Sequence, residues 1–102
     1  MADIDLKMIE DAGLTEGEAK VYIALLKLGS STTGPIVEKS GVANSFVYRI
    51  LNSLIEKGLV SYILKEKTKY FSAERPEKLI DYIEDRKSKL DICKKEIELK
   101  LP

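Results

Sequence analysis

The strongest constraint on the fold is a change of hydrophobic periodicity at Gly58. Ahead of this glycine, apolar side chains recur at the spacing of one helix face: Val47, Ile50, Leu51 and Leu54. Behind it, residues 59–64 and 69–73 are rich in β-branched and aromatic side chains, which favours two strands. Residues 65–68 between them are polar, so the sequence predicts a helix followed directly by a β-hairpin with lysines at its tip.

Three further helices are predicted upstream. The first is short and ends before Gly13. The second begins with a capping box, in which Thr15 satisfies a free backbone N–H and Glu18 follows three residues later, and it ends at Gly29. The third helix has Pro35 in its first turn, where no backbone N–H is needed. These segments place a bundle of helices ahead of the hairpin.

A tight turn at Gly41 joins the third helix to a helix at 44–57, for which Asn44 is a suitable N-cap. Helix, tight turn, capped helix and hairpin follow one another in this order in winged helix-turn-helix domains. We therefore expect a mainly α, α+β fold. Residues 1–75 would form the winged helix-turn-helix domain with a two-stranded wing, and residues 76–102 a long C-terminal helix.

Charge is unevenly distributed along a chain that is neutral as a whole, with 17 basic and 17 acidic residues. Residues 44–71 carry five basic and two acidic side chains, a net charge of +3. Residues 1–29 carry three basic and six acidic side chains, a net charge of −3. This asymmetry is modest, and it would not identify a DNA-binding face without the predicted fold.

Composition argues against several classes of function. The chain has no histidine and one cysteine, Cys93, which excludes His-based catalytic triads and cysteine-rich zinc sites. It also lacks a glycine-rich phosphate loop, so we expect neither an enzyme nor a cofactor or metal site. No apolar run approaches the roughly 20 residues of a membrane-spanning helix. Residues 1–5 lack the basic start of a signal peptide, so a cytoplasmic protein without membrane contact is expected.

Several linked motifs resemble one family. Residues 14–22, LTEGEAKVY, resemble the LT-x-x-E-A-x-x-Y opening of TrmB-type archaeal transcriptional regulators, as does the ALLKLG segment at 24–29. Residues 47–60 are similar to the recognition helix and first wing strand of that family, and the resemblance covers roughly residues 6–80. It implies a winged-helix fold, DNA binding, dimerisation and transcriptional control. Larger members carry a C-terminal sugar-binding domain, for which this chain has no room, so the resemblance does not extend to a sugar response.

The predicted recognition helix presents a second face opposite its apolar one: Asn44, Ser45, Phe46, Arg49 and Asn52. Arg49 is suited to bidentate bonding of guanine O6 and N7, and Asn52 to adenine N6 and N7. The alternative for Arg49 is a solvated helix arginine. Phe46 departs from the polar residue usual in the family, and either contacts a thymine methyl group or packs in the core or an interface. Asn44 and Ser45 stand at the helix N-terminus, where free N–H groups attract phosphate.

Other candidate DNA contacts lie outside this helix: Thr32 and Thr33 before the supporting helix, and Lys65, Lys67 and Lys69 in the hairpin. The threonines either bind phosphate or cap the helix. The lysines either contact DNA or protect an exposed hairpin edge from aggregation. Tyr48 is expected to pack against the wing or the first helix.

The C-terminal helix carries a heptad seam that predicts pairing with a second copy of the chain: Leu79, Ile83, Leu90, Cys93 and Ile97. The alternative is a helix that lies on its own domain. Cys93 is either a small hydrophobic seam residue or the site of an intermolecular disulfide.

Taken together, these features predict a sequence-specific transcriptional regulator that binds double-stranded DNA as a homodimer. The helix at 44–57 would enter the major groove, and the wing at 64–70 would contact the flanking backbone or minor groove. The alternative is a winged-helix protein-interaction module that does not bind DNA. The sequence does not indicate a small-molecule effector.

Overall fold

A computed structural model describes residues 4–102, so the first three residues of the predicted domain at 1–75 lie outside the described residues. The described chain contains five helices and one hairpin: α1 (Leu6–Asp11), α2 (Glu16–Leu28), α3 (Thr33–Ser40), α4 (Asn44–Glu56), β1 (Val60–Lys65), β2 (Thr68–Ala73) and α5 (Glu77–Lys100). This order confirms the predicted mainly α fold with a two-stranded wing and a long last helix. No helix within 4–102 is long and apolar enough to cross a membrane.

Helix α2 lies at the centre of the hydrophobic core. Its Tyr22 and Leu25 are fully buried, because α3, α4 and β2 all pack on this helix. The buried partners come from every other element of the domain: Ile9, Ile36, Val47, Leu51, Leu54, Leu59, Val60, Phe71 and Leu79. The apolar face of α4 is thereby turned inward, and its opposite face is left at the surface.

The turn between α3 and α4 differs from its prediction by one residue. Gly41 adopts the left-handed conformation, with φ of 74°, and its N–H donates to the Val37 carbonyl at 2.9 Å. The Ser40 hydroxyl accepts from the Val42 N–H at 3.1 Å and closes the turn. The chain therefore enters α4 earlier than expected. The N-cap is Ala43, and Asn44 is the first helical residue rather than the cap.

The wing is a short antiparallel ribbon held at its base. Lys65 pairs with Thr68, which leaves Glu66 and Lys67 as a two-residue turn in which both residues have positive φ. At the base, the backbones of Ser31 and Phe71 exchange two hydrogen bonds of 2.9 and 2.7 Å. The α2–α3 loop thus acts as a one-residue third strand and sets the direction of the wing relative to α3.

A second attachment of the wing involves Tyr22. Its hydroxyl donates to the Glu74 carbonyl oxygen at 3.0 Å, just beyond the end of β2. Burial, together with the nearby carboxylates of Glu74 and Glu77, raises the pKa of Tyr22 to about 12. The hydroxyl therefore stays protonated and remains a donor at any physiological pH.

Helix α5 leaves the domain after its first turns. Leu79 is 8% exposed and belongs to the core of its own protomer, which assigns this predicted dimerisation residue to intramolecular packing. The four other seam residues are exposed: Ile83, Leu90, Cys93 and Ile97. The described chain measures 57 × 31 × 22 Å, and its elongation reflects the projection of α5.

Candidate nucleic-acid interface

The outward face of α4 carries every candidate that the sequence places on it. Asn44, Ser45, Phe46, Arg49 and Asn52 are all exposed, while the opposite face of the helix is buried. Phe46 is 49% exposed, so it does not pack in the core of its own protomer, and contact with a thymine methyl group or packing in an interface stay its expected roles. The Arg49 guanidinium lies 5.2 Å from the centroid of the Phe46 ring. This cation–π contact gives the arginine a preferred direction at the surface.

A cleft of 420 Å³ separates α4 from the wing. Its lining includes four of the predicted DNA contacts from two separate parts of the chain: Thr32, Thr33, Lys67 and Lys69. Tyr48 and Leu64 complete the walls, with Thr68 at the turn. The fold therefore gathers two of the three wing lysines and the two threonines beside α4, with Thr32 as the N-cap of α3 and Thr33 as its first residue rather than a residue ahead of it.

Tyr48 lines the cleft together with residues of the wing, beside which the sequence predicts it to pack. It is 54% exposed, so neither the wing nor the first helix covers its side chain. The signal for this exposure was present in the spacing, because Tyr48 lies three residues after Ser45 and four before Asn52, which puts all three on one helix face. Tyr48 is thus a further candidate for contact with nucleic acid.

The threonines at the start of α3 are half-buried, with one edge open to the cleft. Thr32 is the N-cap residue, but its side chain makes no capping hydrogen bond. Its hydroxyl is therefore not engaged in the capping role that was the alternative to phosphate binding. The first N–H groups of α3 lie beside it, and such groups attract anions.

The three wing lysines differ in position. Lys67 occupies the turn and Lys69 lines the cleft, with its ammonium 4.5 Å from the centroid of the Tyr62 ring. Lys65 is adjacent to Leu64, the strand partner of Lys69, so it projects from the other face of the ribbon. Two lysines thus face the cleft beside α4, and the third lies outside it.

The orientation of α4 depends on Glu18, which the sequence identified only as a capping residue. Both capping-box hydrogen bonds with Thr15 are present, at 2.9 and 3.1 Å. The same carboxylate is 3% exposed and also accepts bonds from the Ser53 hydroxyl and the Lys57 ammonium, both at 2.5 Å. Burial raises the pKa of Glu18, but its hydrogen bonds lower it by more, so the pKa lies below the ordinary 4.5. An ionised carboxylate therefore joins the start of α2 to the end of α4.

Helices α2 and α4 also approach closely at a glycine. A Cβ atom on Gly17 would lie 2.9 Å from the Ile50 Cδ1 atom, closer than two carbon atoms normally approach. The contact and the Glu18 hydrogen bonds hold the middle and the end of α4 against the start of α2. The arrangement presents one helix face with side chains suited to base edges, flanked by hydroxyl and ammonium groups suited to phosphate. Within 4–102, no group of three or more His, Cys, Asp or Glu side chains is placed to hold a metal ion.

Comparison with known proteins agrees with this geometry. Residues 9–77 match the family model described as the sugar-specific transcriptional regulator TrmB. The HTH-type sugar sensing transcriptional regulator TrmBL1 of Pyrococcus furiosus is 33% identical over 91 residues, which cover 88% of this chain and 26% of that protein. The uncharacterized protein YrhO of Bacillus subtilis is 38% identical over 53 residues, 52% of this chain and 19% of that protein.

Two solved structures share the fold. TrmBL2, an archaeal chromatin protein with its own mode of DNA binding, gives a TM-score of 0.73 at 27% identity over 92% of this chain and 38% of that chain. ST1889 from Sulfolobus tokodaii gives 0.67 at 18% identity over 88% of this chain and 98% of that chain. The chain spans about a quarter of the length of TrmBL1. Since the family model covers more than half of the residues and includes both motif-bearing helices, the chain belongs to the TrmB family of transcriptional regulators.

Proposed function

We propose that this chain binds a specific double-stranded DNA sequence as a homodimer and acts as a transcriptional regulator, without catalytic activity. Helix α4 enters the major groove, and the wing at 64–70 contacts the flanking backbone or minor groove. The observation that carries the proposal is the outward face of α4. It exposes Phe46, Arg49 and Asn52 beside a cleft that contains Lys67 and Lys69.

The dimensions of α4 suit this role. Its 13 residues span about 20 Å, and B-DNA has a major groove about 12 Å wide that admits one helix. The inner face of α4 is fixed by Val47, Leu51 and Leu54 in the core. Only the outer face is therefore available to DNA, and it carries two side chains capable of bidentate hydrogen bonding, an arginine suited to guanine and an asparagine suited to adenine.

The proposed dimerisation is supported both by an energetic argument and by a structural feature. Each protomer brings few basic residues to the DNA. Each phosphate that they neutralise changes the slope of log K against log salt concentration by only about 0.9, so one protomer is expected to bind weakly. Two protomers on one site combine their contacts. Helix α5 supplies the surface, because Ile83, Leu90 and Ile97 recur every seven residues and are 37%, 59% and 55% exposed. Next to Ile83, Met8 and Ile80 line an open apolar groove of 530 Å³ that extends the seam onto the domain.

In vitro selection from a random duplex pool tests the proposal, because a symmetric dimer returns two related half-sites at a fixed spacing. Titrations of two variants then separate the two kinds of contact. Arg49→Ala is expected to lose preference for the selected site, since it removes a base contact. Lys67→Ala is expected to weaken binding to selected and random duplexes alike, since it removes a phosphate contact. Unchanged binding in both variants would contradict the proposal.

A second candidate is a protein-docking module. It is favoured by the exposure of Phe46 and Leu64, at 49% and 66%, on a chain with no net charge. A titration of random duplex at low ionic strength distinguishes the two functions. Electrostatic binding to any duplex strengthens as salt is removed, whereas a docking module stays unbound.

A further inference from the structure

Tyr82 on α5 lies near two cations, one at the end of α4 and one a turn further along α5 itself. The Lys57 ammonium, at the end of α4, is 6.0 Å from the centroid of the Tyr82 ring, and the Arg86 guanidinium is 5.9 Å from it. Lys57 is itself bonded to the buried Glu18 of α2. A single half-buried ring therefore joins the end of the recognition helix to the helix proposed to dimerise.

Arg86, the second cation near Tyr82, is itself bonded to the loop between α1 and α2. Its Nη1 atom donates to the Ala12 carbonyl oxygen at 2.8 Å, in the loop between α1 and α2. The neighbouring Gly13 has φ of +118°, and a Cβ atom there would lie 2.1 Å from Arg86 Nη1. The absence of a side chain at Gly13 is thus what lets the guanidinium reach the loop. Tyr82 and Arg86 together hold α5 to both α4 and the α1–α2 loop.

Beyond Arg86 the described part of the domain no longer holds α5, since every residue from 87 to 102 is exposed. From Arg86 to Ile97 the helix extends about 17 Å at 1.5 Å per residue. A rotation of about 10° at Arg86 would displace Ile97 by roughly 3 Å, which is close to the 3.4 Å rise of one base pair. The angle at which α5 leaves the domain therefore determines where the second recognition helix lies.

We infer that Tyr82, which lies near both Lys57 and Arg86, is a positioning residue that sets the angle between α4 and α5, and through it the spacing of the two DNA half-sites that the homodimer accepts. The inference rests on the proposed function. Tyr82 lies on α5 and is not among the residues that line the cleft beside the outward face of α4, so its replacement affects spacing and leaves the base preference of each half-site intact.

The test is a competition between duplexes that carry the selected half-sites at the selected spacing and at spacings one or two base pairs longer or shorter. Tyr82→Leu keeps apolar bulk but removes the aromatic face, whereas Tyr82→Phe keeps the face and serves as the matched control. We expect Tyr82→Leu to reduce the preference for the selected spacing by about 5-fold or more, because both cation contacts are lost in each protomer. Tyr82→Phe is expected to retain the wild-type preference, and both variants to select the same half-site sequence.

Arg86→Met provides a second variant that leaves the Tyr82 ring in place, in case Tyr82→Leu does not fold. A folded, dimeric Tyr82→Leu or Arg86→Met protein with the wild-type spacing preference would overturn the inference about Tyr82 without contradicting the proposed function. A loss of spacing preference in Tyr82→Phe would overturn it as well, since the ring face is preserved. Wild-type protein that selects no paired half-sites would instead contradict the proposed homodimer on DNA.

Discussion

Helices α4 and α5 both carry apolar side chains, but only those of α4 are buried mainly within its own protomer. Helix α4 buries Val47, Leu51 and Leu54 in its own domain and leaves a polar face outside. Helix α5 buries only Leu79 and leaves Leu90 and the rest of its apolar stripe in contact with solvent. Helix α4 is positioned by its own protomer, so its outer face is available for a ligand. Helix α5 retains an apolar face that its own protomer does not cover, which is typical of an assembly surface.

The largest effect is expected from a truncation in the buried face of α4. Leu51→Ala should lower the free energy of unfolding by about 2–5 kcal/mol, because it leaves a cavity in a fully buried site. Urea denaturation measures this loss. Leu90→Ala is the matched control on α5 and should leave the unfolding of a dilute, monomeric protomer within about 0.5 kcal/mol of wild type. Equal losses at both positions would contradict the comparison.

The next effect concerns the free face of α5. Leu90→Glu should weaken self-association by roughly 2–3 kcal/mol, because a carboxylate would be desolvated at the seam. Sedimentation at graded concentrations measures the dimer constant. Ser88→Glu adds the same charge on the other side of the helix and should leave association nearly unchanged. A dimer that tolerates Leu90→Glu as well as Ser88→Glu would show that α5 pairs through another face or not at all.

A smaller effect is expected at the carboxylate that joins α2 to α4. Glu18→Gln should cost about 1–3 kcal/mol of unfolding free energy near neutral pH, since a buried charged acceptor is lost. The folded pKa of Glu18 lies below 4.5, so this stabilisation is fully present above about pH 4.5 and is lost as the pH falls through the folded value. The difference between wild type and variant should therefore shrink in acid.

Glu16→Gln is the control for that titration, because Glu16 forms an exposed ion pair with Lys20 on the same turn of α2. Exposed pairs contribute little to stability, so this variant should unfold much like wild type at every pH. A pH-independent difference for Glu18→Gln would mean that the carboxylate is not ionised in the folded protein.

The smallest effect concerns the wing tip, which is as exposed as the end of α5. Glu66 has φ of 51°, a conformation that asparagine tolerates better than glutamate. Glu66→Asn should stabilise the protein by about 0.5 kcal/mol, whereas Glu66→Gln, which removes the same charge, should not. Thermal unfolding of the two variants side by side measures the difference, and equal midpoints would contradict the positive-φ turn.

Local patterns were sufficient to predict most of the architecture. The periodicity change at Gly58 and the capping box at Thr15 depend on near neighbours in the chain, and both are found in the structure. Contacts over long sequence separations were not predictable in this way. Glu18 lies 35 and 39 residues from Ser53 and Lys57, and nothing in its own segment indicates that it bonds them.

In the candidate interface, too, some features follow from local patterns and others depend on contacts over long sequence separations. The outward face of α4 follows from helical spacing, and even Tyr48 could have been placed by it. The different positions of Lys65 and Lys69 required the strand register, which the sequence does not specify. The location of Leu79 in its own core required knowledge of where α5 leaves the domain. A heptad pattern alone does not distinguish a residue that faces its own domain from one that faces a partner.

The central claim, that the outer face of α4 reads base edges in the major groove, is tested most directly by a double-mutant cycle between protein and DNA. The selected duplex is prepared with 7-deazaguanine in place of the guanine assigned to Arg49, and the affinities of wild type and Arg49→Ala are measured on both duplexes. Arg49→Ala should weaken binding about 10-fold, and the modified base by less, because it lacks only N7, one of the two guanine atoms that Arg49 contacts. The two changes together should weaken binding little more than Arg49→Ala alone, because the arginine that bonds N7 is then already absent. Fully additive losses, or no loss from the modified base, would contradict the claim.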